Sequence, residues 1–254
     1  MKNHIRGIIK MSVYFTGDTH GHIDIDKLSS KRWPEGKTLT KEDKLIILGD
    51  FGLVWNNTPD AREKYWLEWL NSKPWTTLVV KGNHENHPMF YSFPEVEMFN
   101  NKVRQIRDSI FVLETGEIYT IDGKTCLVVG GAASIDKHHR TEGLSWWPEE
   151  LLSKEQENRT LENLDKVKWK VDYVLTHTGP VDILSDLFPE LRIGRFSQPS
   201  WQDKFKDPVA HFLQHILNEN LKFNKWYFGH FHENREHSSR KFRCFYEDII
   251  KEEI

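Results

Sequence analysis

The chain reads as an α/β protein whose ligand-bearing loops lie at the carboxyl ends of buried strands. Three observations predict this. Continuous apolar runs of four to six residues recur, each ends on a glycine or small residue followed at once by Asp, Asn or His, and helical patterns lie between them. Runs this short, rich in aliphatic and aromatic residues, read as strands covered on both faces.

The first run, 12–17 (SVYFTG), closes on Gly17-Asp18. The second, 44–49 (KLIILG), closes on Gly49-Asp50, and the third, 76–81 (TTLVVK), on Gly82-Asn83. Two more follow: 171–175 (VDYVL) ends at Thr176-His177, and 225–228 (KWYF) at Gly229-His230. Open α/β sheets place their ligands at such strand ends. Between them, residues 60–72 carry Tyr65, Trp66, Trp69 and Leu70 at helical spacing, with Thr58 as the expected cap and Pro59 in the first helical position. Residues 148–167 set Leu151, Leu152, Leu161 and Leu164 among charges, the pattern of a surface helix. Asp207-Pro208 opens another helix, with Val209, Phe212, Leu213, Ile216 and Leu217 along one face. Three runs between 109 and 131, split by turn pairs such as Asp122-Gly123, predict an antiparallel meander, and the alternating tail 242–247 an edge strand. With no repeat, low-complexity tract or linker, residues 11–254 are expected to form one domain, and 1–10 a dispensable extension if Met11 is the true start.

Charge and cysteine usage narrow the function classes. Lys+Arg number 35 against 38 Asp+Glu, a net charge of −3, so there is no global basic field and a general nucleic-acid binder is disfavoured. Cys126 and Cys244 lack CxxC spacing, which excludes a disulfide scaffold and a thiolate zinc site. No apolar run approaches membrane-spanning length, and the polar start is too short for a signal peptide. A soluble, cytoplasmic protein without membrane or obligatory nucleic-acid partner is expected.

In order, the strand ends supply Gly17-Asp18-Thr19-His20-Gly21, Gly49-Asp50, Gly82-Asn83-His84-Glu85, Thr176-His177 and Gly229-His230-Phe231-His232. Carboxylates and imidazoles with one amide and no thiolate suit divalent first-row ions such as Mn, Fe, Co or Zn. Residues i and i+2 leaving a strand point the same way, so the D-x-H and H-x-H pairs can converge on one ion or on two neighbours. Seven plausible ligands are too many for one ion and suit two that share a bridging carboxylate.

These motifs, in this order, resemble the calcineurin-like metallophosphoesterases, whose signature runs GDxHG, GDxx, GNHE, a lone His and GHxH. The resemblance spans most of the chain, from Gly17 to His232. It implies an αββα sandwich of two mixed β-sheets flanked by helices, with a dinuclear metal site at the strand ends. It implies that Asp18, His20 and His232 hold one metal, that Asn83, His177 and His230 hold the other, and that Asp50 bridges them. His84, directly after the amide, is in that family the group that protonates the leaving oxygen. The implied cofactor is two divalent metal ions, manganese favoured, with iron, zinc, cobalt or nickel as alternatives. The implied activity is hydrolysis of a phosphate ester, since a hydroxide held between two cations is a competent nucleophile at neutral pH.

Departures from the family narrow the substrate. Its phosphoprotein phosphatases read GDxVDRG and RGNHE, with arginines that grip a phosphate monoester. Here Phe51-Gly52-Leu53-Val54-Trp55 follows Asp50 without the second Asp or the Arg, and Lys81 stands where the other Arg would be. The ending with His232 is more similar to the phosphodiesterase branches. A phosphodiester, such as one containing a nucleotide, is therefore favoured. A phosphomonoester or phosphoprotein is the alternative, and a non-catalytic scaffold of the same fold the remotest one. Outside the motifs, Gly130-Gly131 leaves a strand and leads to Lys137 and Arg140, then Ser145-Trp146-Trp147. Such an exit can cradle a phosphate beside a stacking ring, which makes Arg140, then Lys137, candidate substrate contacts. The plainer alternative is surface charge with both Trp buried. His4, His87, His138, His139, His211, His215 and His237 lack comparable context and read as solvated. Trp66 and Trp69 read as core, and His22 as either a neighbour of the site or loop surface.

Overall fold

The computed structural model describes residues 11–192 and 206–252. The first half of the chain forms β1 (Val13–Thr16), β2 (Lys44–Leu48), β3 (Thr76–Val80), β4 (Glu95–Met98), β5 (Asn101–Arg107) and β6 (Ile110–Leu113). The second forms β7 (Ile118–Ile121), β8 (Lys124–Val129), β9 (Tyr173–Thr176), β10 (Lys225–Phe228), β11 (Arg235–Glu236), β12 (Phe242–Cys244) and β13 (Ile250–Glu252). One mixed sheet has the order β13-β1-β2-β3-β6-β5-β4 and the other β11-β12-β10-β9-β8-β7. The helices are α1 (Ala61–Asn71), α2 (His87–Ser92), α3 (Lys154–Lys166), α4 (Val181–Leu187), α5 (Pro189–Arg192) and α6 (Pro208–Asn218).

Side-chain alternation explains why both faces of the inner strands are apolar. Along β2, Ile46 and Leu48 enter a layer between the sheets with Val128, Leu175 and Tyr227. Leu45 and Ile47 face the other way, onto Leu67 and Leu70 of α1 and Phe90 of α2. The second sheet buries Val129, Val174 and Trp226 beneath Leu164 of α3, Leu184 of α4 and Leu213 of α6. Helix, sheet, sheet, helix is thus the order of layers, as the family resemblance implies. Each fully buried aliphatic side chain in these layers contributes about 1.5–3 kcal/mol.

Several local expectations are corrected. The cap of α1 is Asp60, not Thr58: its carboxylate accepts from Glu63 N, and Glu63 reaches back to Asp60 N, a reciprocal pair that Thr58 cannot form. The 148–167 segment is a 3-10 turn, Pro148–Glu150, followed by an extended Leu151 and then α3, capped by Ser153 with Gln156. The 109–131 region is no meander. β6 joins the first sheet beside β3 and β5, whereas β7 and β8 form the Asp122-Gly123 hairpin of the second. β12 is flanked on both sides, by β10 and β11, and so is not an edge. β4, the edge strand, and β5 beside it escape a reading based on apolar runs because charged and polar residues interrupt them.

Asp207, the cap of α6, gives a pH prediction. It is buried and accepts from Val209 N, and burial pushes its carboxyl up to about 6. An acid that holds its proton more tightly folded than unfolded weakens the fold as pH rises from the unfolded value, about 4, to the folded one. Relative to Asp207→Asn, which keeps an acceptor on the cap, the wild type is expected to lose about 2 kcal/mol between pH 4 and 7. Urea unfolding at the two pH values measures this. Parallel curves for the two proteins would refute it.

Candidate metal centre

β1, β2 and β3 run parallel to one another in the first sheet, and β9 and β10 do so in the second, so within each sheet the ligand-bearing ends lie on one rim. Just beyond those ends the chain turns through left-handed backbone. His20, Asp50, His230 and His232 have φ of 43, 46, 70 and 51°. Non-glycine residues there cost of order 1–3 kcal/mol and persist mainly where function demands them. His20 therefore joins Asp18, and His232 and His230 part to different groups, through these turns and not through strand alternation. Glycine is required beside them. A Cβ on Gly49, whose φ is 97°, would run into the His177 ring, and one on Gly229 into the Asp18 carboxylate.

Two groups of side chains result, and they share one member. Asp18, His20, Asp50 and His232 form one, and Asp50, His177 and His230 the other, with the offered atoms of each within 4.8 Å of one another. Asn83 joins the second group through Oδ1, 2.9 Å from His177 Nε2. The carboxylates and His177 are buried, while His232 is half exposed at the mouth.

Hydrogen bonds outside the groups set which atom each ligand presents. His20 Nδ1 lies 2.6 Å from Asp24 Oδ2, so Nε2 faces Asp50 Oδ2 at 3.3 Å. His177 Nδ1 donates to Leu48 O at 2.8 Å, leaving Nε2 toward Asn83 Oδ1 and Asp50 Oδ1. Asn83 Nδ2 donates to Ser134 Oγ, which donates to Glu150 Oε2, and this fixes the amide with its oxygen inward. Such outer partners orient ligands and sharpen affinity. Asp50 Oδ1 accepts from Asn83 N and His84 N, at 3.0 and 2.8 Å, whereas its Oδ2 is buried without a hydrogen-bond partner among the described residues.

These donor sets fit cations. In neutral His177 the Nε2 lone pair confronts two oxygens, an arrangement that a positive charge between them would satisfy. The electrostatics agree. Burial pulls the His177 imidazole down, but Asp50 outweighs it and holds it up at about 9. His20 stands at about 9 for the same two reasons. Burial raises the Asp50 carboxyl, and the surrounding imidazoles overcome that and drive it well below the usual range. The site thus stores negative charge that protons or metal ions must balance.

The family model of the calcineurin-like phosphoesterases matches residues 11–234. The chain belongs to this family. It is therefore a metal-dependent phosphoester hydrolase with a dinuclear site and a phosphate-ester substrate. No relative among curated proteins matches it. Among solved structures, it is similar to a phosphopantetheinyl hydrolase from Mycobacterium tuberculosis, at 14% identity and a TM-score of 0.47, over 94% of this chain and 90% of that one. No helix among the described residues of this phosphoesterase is long and apolar enough to cross a membrane.

The remaining expected site residues lie around the two groups. His84 belongs to neither and has its ring 5.9 Å from that of His20. Burial lowers its pKa, with Arg140 and His20 acting in the same direction. Arg140 is held by Asp136 through two bonds, at 2.8 and 2.7 Å, and by Ser145 O. Lys137 is exposed, 5.9 Å from the Trp146 ring. Trp147 is buried, with its ring edge-on to Trp55, whereas Trp146 is half-buried, so the plainer reading of that loop, with both rings buried, holds for Trp147 alone. His87 is buried rather than solvated, since it starts α2 behind the GNHE loop, while His4 lies outside the described residues. Asp24, Ser134 and Glu150 went unnoticed in the sequence. None sits in a motif, and only Asp24, four residues after His20, had a usable spacing signal.

Proposed function

We propose that this phosphoesterase cleaves phosphodiesters with two divalent cations, manganese favoured, held by Asp18, His20 and His232 on one side and Asn83, His177 and His230 on the other, with Asp50 between. Two such cations supply positive charge for the phosphoryl oxygens and lower the pKa of bound water. The protein's own work is placement. Asn83 N and His84 N pin one oxygen of Asp50 and leave the other inward. His84, outside both ligand groups yet beside them, gives its proton to the departing ester oxygen.

The observation that carries the diester preference is the state of the nearby cations. A monoester brings two negative charges and needs free cationic side chains to balance them. Lys81, at the position of the phosphatase arginine, is buried and paired with Glu114 at 3.4 Å. Arg140, the proposed substrate contact with Lys137, already shares its charge with Asp136. A singly charged diester suits this balance better, and diesters of nucleotides are among those to be tried. The Mn²⁺-loaded chain should hydrolyse bis-p-nitrophenyl phosphate with a higher kcat/KM than p-nitrophenyl phosphate. The reverse order would overturn the preference, and inertness toward both would overturn the metal-centre assignment.

A further inference from the structure

A cavity of about 360 Å³ opens beside the metal centre, and His20 and His84 form part of its wall. The wall away from them is apolar, made by Leu53, Trp55 and Trp66 with Ile23, which is 69% exposed at the mouth. Aromatic and aliphatic walls of this kind cover flat or apolar ligand parts.

The wall is built before any ligand arrives. Glu63, buried on α1, accepts from Trp55 N at 2.7 Å, Asn56 N at 2.9 Å and Asn56 Nδ2 at 2.9 Å. These bonds hold the 52–57 loop, and the Trp55 ring is braced edge-on by Trp147 at 5.2 Å. A preformed site loses less conformational freedom on binding.

The polar part of the cavity holds a cation that, among the described residues, has no carboxylate partner. Arg62 Nη1 lies 3.1 Å from His22 Nε2, and among the described residues the guanidinium forms no ion pair with a carboxylate. The two carboxylates nearby are turned to N–H donors and not to Arg62. Asp60 accepts from Glu63 N, and Glu63 is spent on the loop. The contrast with Arg140, neutralised by Asp136, singles out Arg62 as the guanidinium able to take an anion.

Position decides which part of the ester enters. In an in-line displacement the P–O bond to the alcohol breaks opposite the attacking oxygen, and the alkoxide keeps the electron pair and takes a proton. His84 supplies that proton in the reading above, and the cavity adjoins His84. We propose that the cavity receives the ester's alcohol portion, with its planar or apolar body against Trp55 and Trp66 and a second anionic group on Arg62. The substrate class is thus a phosphate ester of an alcohol that is both planar and negatively charged. This rests on the phosphoester-hydrolase reading and adds the selectivity.

The test uses methyl phosphodiesters of 4-carboxybenzyl alcohol, benzyl alcohol and ethanol with the Mn²⁺-loaded chain. Arg62→Met should lower the ratio of kcat/KM for the carboxybenzyl to the benzyl ester about tenfold, the worth of one charge-assisted contact. Trp66→Leu should lower the benzyl-to-ethyl ratio about 2- to 10-fold. Comparing variant with wild type cancels the intrinsic reactivity of each alcohol. Arg62 is exposed, so its variant should fold, and metal content equal to wild type verifies that the centre is intact. Unchanged ratios in an active enzyme overturn the cavity assignment alone. A wild type inert toward these esters and bis-p-nitrophenyl phosphate overturns the hydrolase reading, and this inference with it.

Discussion

Asp50→Asn is expected to abolish hydrolysis and to lower metal occupancy in both ligand groups together. Asp50 is the residue common to the two groups. Asn can keep one oxygen on Asn83 N and His84 N, so the loop should survive the change. It also places an NH₂ where the unpartnered Oδ2 now stands, a donor where a cation needs an acceptor. The lost charge had stabilised each cation against its neighbour. Because even partners outside the ligand set change affinity by about 10- to 100-fold, a shared ligand should cost at least that much at each position. Elemental analysis after dialysis against Mn²⁺ measures the occupancy. Two ions retained with full turnover would end the bridging assignment.

His84→Asn should keep both metals and slow the enzyme in a way that depends on the leaving group. The side chain lies outside both ligand groups, and the bond from His84 to Asp50 uses its backbone nitrogen, which the substitution preserves. A general acid matters when the departing oxygen is a poor leaving group. On an alkyl or ribose ester the rate should fall about 10²- to 10⁴-fold. With p-nitrophenolate, which leaves without a proton at neutral pH, the loss should be much smaller. The ratio of the two losses is the decisive quantity, since general damage to the centre cancels. Equal losses accompanied by missing metal would make His84 a ligand and put the acid elsewhere.

Much of this was legible because it is local. A run such as 44–49 declares its own burial, and the residue after it declares the loop chemistry, so the five inner strands and the order of their polar ends needed no tertiary information. Strands toward the end of a sheet declare less. β4 and β5 have one face in water and carry charges there, which hides them from a search for apolar runs. Caps also depended on detail beyond residue type, since Thr58 and Asp60 are both acceptable and only the reach of Glu63 selects Asp60.

What the sequence determined by itself is the inventory: parallel strands with glycine-flanked carboxylates, imidazoles and one amide at their ends, of the number and kind that two divalent ions require. The tertiary structure decided the partnerships. His230 N meets the Asp18 carboxylate across 212 residues, and Ser134 orients an amide 51 positions away. It put Asp136 on Arg140, left Arg62 without a carboxylate among the described residues, and walled a cavity with residues from the loop after β2 and from α1. The physical reason is the range of the forces involved. Apolar periodicity and turn geometry act over a few residues, whereas charge pairing, desolvation and cavity shape depend on which distant segments the fold brings within a few ångströms.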